Sequence, residues 1–180
     1  RYRSIASWSP VDMGMASSSI MLTDTNVQAW DLPHPHILQK WVEAHHIDLM
    51  RHTNNVIYLQ WLEDVAWSHS AALGLGPAEY EALGHGMVVH QHELNYLQAT
   101  RLGDVLSLGT WITHIDRIHL HRHYQFIRES DGQTVFRARS HFVCVDIEQG
   151  RLRRMPEAFQ SIYGAAVIQK AEAHSSRARS

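Results

Sequence analysis

The chain of 180 residues has little of several things that would settle its class at once. It has one cysteine, Cys144, so no intramolecular disulfide can form and a disulfide-stapled framework is excluded. A lone thiol fits a reducing compartment, and a cytoplasmic location is the expectation. Positive charge is not in excess: 16 Lys and Arg stand against 18 Asp and Glu, a net −2 with His neutral. No broad basic surface for nucleic acid is expected, although a local basic groove for the phosphates of a small ligand remains compatible. No run of 18 or more apolar residues exists, so no membrane-spanning helix is expected. Arg1 and Arg3 make a basic start, but the apolar stretch that a signal peptide needs does not follow.

What is present is an ordinary globular mixture, 44% apolar and 19% charged, long enough for one compact domain with a sizeable core. Residues 1 to about 35 show no clear period and read as a flexible leader. Pro33 and Pro35 then punctuate the chain, and an apolar–polar stretch from Ile37 to Ile47 reads as a strand. Thr53 or Asn54 caps a helix over residues 54–73. Ile57, Tyr58, Trp61, Leu62, Val65 and Ala66 recur at its helical spacing. Val56, Leu59 and Trp67 widen the apolar surface, which predicts a largely enclosed helix. Gly74 and Gly76 end it, and Pro77 opens a short helix to Leu83.

Four strand-like runs follow: Met87 to Leu97, Val105 to Ile115, a run marked by Leu120, Tyr124 and Phe126, and one marked by Phe136, Ala138, Phe142 and Cys144. Their short turns favour antiparallel neighbours. A last helix after Pro156 holds Phe159, Ile162 and Tyr163, and a tail over residues 164–180 reads as flexible. Cys144 falls on a buried strand, where a thiol is usually an apolar filler. A sheet of this kind must bury one face, and the only long apolar helix is the first. The expected architecture is α+β, a curved five-stranded antiparallel sheet around one long helix.

The stretch from Asp48 to Glu63 carries the chemistry. A lone carboxylate, Asp48, precedes a short polar loop, and the Thr53-Asn54-Asn55 cap then opens the helix. That order directs a carboxylate and the positive end of a helix at one small volume. A carboxylate there can attack or activate water, and helix N–H groups can polarise a carbonyl, which is the apparatus of acyl transfer.

The residues of this stretch, Asp48, His52, Asn54, Asn55, Tyr58, Trp61 and Glu63, resemble the signature of the hotdog-fold acyl-CoA thioesterases in the 4-hydroxybenzoyl-CoA thioesterase-like family, in particular the long-chain acyl-CoA branch. Asn95-Tyr96, the run 101–104, the run 142–146 and the run 153–157 add supporting similarity, so the resemblance spans roughly residues 36–163. Plant acyl-carrier-protein thioesterases carry a related element, but Met50 stands here where theirs has Asn. The resemblance implies a hotdog domain that hydrolyses acyl-CoA to a carboxylic acid and free CoA, with no cofactor and no metal. It implies Asp48 as nucleophile or general base, Asn55 as the helix-mouth residue whose backbone N–H meets the thioester oxygen, and His52 as a residue that orients substrate or relays protons. Asn54, Tyr58 and Trp61 are the implied substrate-binding residues, the two aromatics beside the acyl path. Helical spacing places Glu63 inward, as a buried hydrogen-bonding group or a second carboxylate. Arg101, Arg117 and Arg122 are candidates for the CoA phosphates.

Fifteen histidines require an account. His119, His121 and His123 alternate on one strand, and His90 and His92 form a second such pair. Imidazoles at this spacing can chelate zinc. The core face of that strand is Leu120, Tyr124 and Phe126, however, so the trio points outward and reads as a polar or interface surface. Open sheet edges and this face lead to an expected homodimer or homotetramer. The alternatives are an acyl-carrier-protein thioesterase, a non-catalytic acyl-binding protein of the same fold, and a dehydratase.

Overall fold

The computed structural model describes residues 29–168. The order is β1 (His36–Trp41), a 3-10 turn (Ala44–His46), α1 (Asn55–Ala72), α2 (Pro77–Leu83), β2 (His85–Tyr96), β3 (Val105–Ile115), β4 (His119–Arg128), β5 (Thr134–Asp146) and α3 (Glu157–Ala165). All strand pairs are antiparallel, and the sheet runs β1-β3-β4-β5-β2, leaving β1 and β2 as its edges.

β1 is shorter than the sequence pattern suggests. It ends at Trp41 because Val42 turns inward and binds the backbone of Gly103 and Asp104 instead of β3. Ile47 then pairs with Thr53 in a single bridge, so Asp48 leaves a loop-closing bridge and not a strand end. α1 starts where Asn54 accepts from the Val56 N–H through its side chain, at 3.0 Å. One side of α1, with Tyr58, Trp61, Leu62 and Val65, enters a cluster with Leu106, Leu108, Tyr124, Phe126 and Phe136. The other side does not: Val56 is 65% and Trp67 41% exposed, and Glu63 is exposed. The expectations of an enclosed helix and a buried Glu63 therefore fail for the single chain, because among the described residues nothing covers α1 opposite the sheet. A second cluster joins Leu75, Tyr80, Phe159 and Tyr163 of the helical part to Ile112, Leu120 and Cys144 of the sheet. Burial pushes the Cys144 thiol up to about 11, which suits an inert filler.

The opposite face of the sheet is partly covered. Residues 1–28, most of the expected leader, lie outside the described residues, but residues 29–35 cross β3, β4 and β5. Trp111 Nε1 donates to Pro33 O (2.8 Å), Gln125 Nε2 to Ala29 O (3.0 Å), and Arg137 pairs with Asp31 (2.6 Å). Trp30 lies on Gly109, where the missing side chain leaves room for its ring. At the other end, Val167 bridges Ile112, and residues beyond 168 lie outside the described residues.

Beside this strap the outward histidines gather. His121 and His141 have ring centroids 4.2 Å apart, His119 and His141 5.2 Å, His114 and His121 4.9 Å. Burial and then the neighbouring imidazoles lower His121 and His141 below 6.5. His123 is set apart from them, next to Asp31, Trp111 and Arg137 under the strap. Among the described residues no group of three or more His, Cys, Asp and Glu is arranged to hold a metal ion.

Candidate active site

The loop before α1 is held by its own backbone. The Asp48 N–H donates to His52 O (3.0 Å), the Arg51 N–H to Asp48 O (3.0 Å), and the Met50 N–H to Asp48 Oδ1 (2.8 Å). Arg51 takes a left-handed conformation, φ 60°, to close so tight a loop. Asp48 is half-buried, while Leu49 and Met50 project at 101% and 74% exposure. His52 joins Asp48 through its carbonyl; its ring has no hydrogen-bond partner among the described residues.

The start of α1 is anchored from below. The Thr53 N–H donates to Thr100 O (2.9 Å), the Thr53 hydroxyl meets the Thr100 hydroxyl at 2.6 Å, and the Tyr58 hydroxyl meets that same group at 2.8 Å. The Asn54 N–H donates to His46 O (2.8 Å), and Tyr96 Oη donates to Asn55 O (3.3 Å). The side chain of Asn54 is occupied by the Val56 N–H. The Asn55 N–H has no acceptor among the described residues, and it stands at the positive end of an 18-residue helix. Asp48 and His52 thus belong to one tight loop with a half-buried carboxylate, and Asn54 and Asn55 open the helix that follows it with an N–H that has no acceptor among the described residues.

Tyr58 and Trp61 are core residues, each 2% exposed. Tyr58 contacts the rings of Phe136 and Tyr96 at 5.0 and 5.4 Å, and Trp61 meets His46 edge-on. Neither lines a cavity of about 380 Å³ that opens between α1, β2 and β4. Glu63 and His92 stand in that cavity, as do Leu62, Ala66 and Phe142. The His92 ring meets the Ser140 hydroxyl at 2.7 Å, and burial lowers its pKa.

Arg122 also lines it, which revises the phosphate role considered for this residue: at 3% exposure it is enclosed between the two core clusters. The alternation that turns His121 and His123 outward turns Arg122 inward, so the signal was present in the sequence. Arg101 and Arg117 are exposed. Thr100, fully buried, is the positioning residue that sequence reasoning missed; only its place before the run 101–104 hinted at it.

The profile of the Thioesterase-like superfamily matches residues 42–162. Over 111 residues the chain is 27% identical to the long-chain acyl-CoA thioesterase FadM of Escherichia coli K12, covering 59% of this chain and 80% of that one. Among solved structures, protein SAV2348 of Staphylococcus aureus, studied in complex with CoA, superposes with a TM-score of 0.69 at 20% identity, over 79% of this chain and 92% of that one. Slr0204, a 1,4-dihydroxy-2-naphthoyl-CoA thioesterase from Synechocystis, gives 0.66 at 16%, over 73% and 96%. The five-stranded antiparallel sheet with its long helix has the hotdog arrangement, and the match over two thirds of the sequence is direct: the chain belongs to the thioesterase-like superfamily.

Proposed function

We propose that this protein hydrolyses acyl-CoA thioesters to a carboxylic acid and free CoA. The observation that carries the reading is the short loop that leads from the half-buried Asp48 carboxylate into α1, whose first N–H, at Asn55, has no acceptor among the described residues. The thioester carbonyl oxygen binds at that N–H, where the helix end favours the negative charge that develops on it. Two routes use the same carboxylate. In one, an Asp48 oxygen attacks the carbonyl carbon, the C–S bond breaks, the CoA thiolate leaves and takes a proton, and water cleaves the resulting anhydride. In the other, Asp48 takes a proton from water as water attacks. The Thr53–Thr100–Tyr58 hydroxyl chain keeps the helix mouth in place for either. His52 supplies a ring free of other hydrogen bonds to orient substrate or pass a proton, and Asn54 fixes the first turn on which substrate lies. Tyr58 and Trp61 support that turn from the core side of the acyl path. Arg101 and Arg117 are exposed and available to the CoA phosphates.

The working unit in this reading is a homodimer joined along β2, the edge strand that faces α1 across the cavity. Val88, Val89, Tyr96 and Leu97 of that region are 41–48% exposed, and Val56 and Trp67 extend the apolar band onto the helix. Pairing of two β2 edges closes this band and encloses α1 from its open side. Thiol release from acyl-CoAs of graded length, beside the same acyl groups on acyl carrier protein, tests the reading. Turnover of the CoA series is expected; turnover of the carrier-protein series alone would contradict the substrate class, and none at all would contradict the function.

A further inference from the structure

The inner face of β4 carries a cation where its alternation calls for an apolar residue. Leu120 belongs to the cluster under α2 and α3, Tyr124 to the cluster under α1, and Arg122 stands between them at 3% exposure. Its guanidinium meets His69 Nδ1 at 3.0 Å and donates to Ser70 Oγ at 2.9 Å, with its Cζ 5.8 Å from the centre of the Tyr163 ring. Ser70 also accepts from Tyr163 Oη (2.9 Å), which in turn meets Tyr80 Oη. Every member of this network other than Arg122 is neutral. Burial, then the Arg122 charge, holds His69 down to about 3, so its ring is neutral and its Nδ1 accepts from the guanidinium.

Among the described residues no carboxylate lies within ion-pair distance of Arg122. The last turn of α1, which contains His69 and Ser70, offers a partial negative charge of about half a unit at most. A guanidinium has five N–H donors, and the described residues engage two of them. A buried permanent cation left in that condition is costly unless something completes its pairing. What it borders is the 380 Å³ cavity, whose walls are otherwise mostly apolar, with Leu62, Ala66, Met87, Leu120 and Phe142 among them.

The cavity touches α1 from Leu62 to Ser70, so the place of the cation along the helix, counted from its mouth at Asn55, decides what it can read. Asn55 and Ser70 are fifteen residues apart on one helix, about 22 Å of axis, and Glu63 lies midway. Arg122 therefore stands at the far end from the helix mouth, and the carboxylate of Glu63 stands nearer to it.

We propose that the cavity takes a long acyl chain ending in a carboxylate, the mono-CoA thioester of a dicarboxylic acid, and that Arg122 is the specificity-determining residue that binds this distal group. The proposal rests on the thioesterase reading above. A carboxylate at the far end completes an ion pair in a dry site, where a guanidinium fork holds two oxygens at once. A methyl terminus leaves the cation desolvated and unpaired. A short diacid fails for a different reason, because its free carboxylate stops beside Glu63 and is repelled.

The test compares hexadecanoyl-CoA with the mono-CoA thioester of hexadecanedioic acid in the wild type, Arg122→Met and Arg122→Lys. In the wild type the carboxylated chain is expected to have the higher kcat/KM by about 10- to 100-fold, the range of a charge-assisted hydrogen bond, and mainly through KM. Arg122→Met should remove that preference and Arg122→Lys retain part of it. A wild type that favours the plain chain, or an Arg122→Met protein with an unchanged ratio, would overturn the inference while leaving thioester hydrolysis intact. Calorimetric binding of two non-hydrolysable CoA thioethers to the wild type, one with a plain hexadecyl chain and one with the same chain ending in a carboxylate, below the concentration of micelles, needs neither turnover nor a folded variant. Equal binding of the two thioethers would refute the role of Arg122 even if no thioester were cleaved, and tighter binding of the carboxylated one would support it.

Discussion

Gly109→Ala is expected to destabilise this fold although alanine suits a strand better than glycine. The added Cβ would meet three carbons of the Trp30 ring, Cζ3 most closely, with Cη2 at 3.0 Å and Cε3 at 2.9 Å, against backbone that cannot retreat inside β3. The ring must leave. Its departure forfeits part of the burial of a large apolar side chain, about 1.5–3 kcal/mol when complete. It also forfeits the edge-on contact with Trp111 at 5.9 Å, about 0.5–1.5 kcal/mol. The neighbouring anchor from Gln125, a fully buried amide, to Ala29 O is disturbed with it, at about 1 kcal/mol. Removing glycine from a strand recovers about 0.5–1 kcal/mol. A net loss of about 2–3 kcal/mol remains, read as a lowered urea midpoint at unchanged slope. In a Trp30→Ala background the same Gly109→Ala change should be neutral or slightly stabilising, so the cycle reports the coupling directly. Equal cost in both backgrounds, or wild-type stability of the single variant, would refute the account of the strap.

Thr100→Val should cost about 1–3 kcal/mol, because it leaves the buried hydroxyls of Thr53 and Tyr58 without their shared partner, and it should lower kcat by loosening the helix mouth; urea unfolding and steady-state kinetics measure both. Acid should weaken the fold below pH 6.5. His69 sits at about 3 in the folded chain, so between those values the unfolded state takes the proton and the folded state does not. Full burial would give about 1.4 kcal/mol per pH unit, and screening of a ring that still meets solvent reduces the loss to about 2 kcal/mol at pH 4. His69→Gln should flatten that part of the pH–stability curve; an unchanged curve would contradict the assignment. Val89→Lys, a charge on the exposed β2 edge, should shift the dimer toward monomer in light scattering and reduce turnover with it.

Much of this chain was legible because its periodicities are strong. The alternation in β3 located Val105 to Ile115, and Pro77 and Pro156 marked the starts of α2 and α3. The Asn54 cap of α1 was readable because a polar loop between apolar periods has few places to go, whereas Asp48, expected at a strand end, stands in the loop after the Ile47–Thr53 bridge. Other features are tertiary. β1 stops early since Val42 finds partners sixty residues away, and Thr100 matters only because two distant hydroxyls meet it. Trp30 on Gly109 joins a segment without any period to the middle of a strand. Glu63 was placed inside by helical spacing, but spacing fixes only which residues share a face, and the sheet covers just one face of α1.

The central claim is that Asp48 does the chemistry at the mouth of α1, and Asp48→Asn tests it most directly. Asparagine keeps an Oδ1 acceptor for the Met50 N–H, so the loop should hold and the circular dichroism spectrum should match the wild type. The account predicts that kcat/KM for acyl-CoA hydrolysis, read as free thiol, falls by about 10²–10⁴-fold or more. A folded Asp48→Asn protein that hydrolyses acyl-CoA at a near wild-type rate would contradict it.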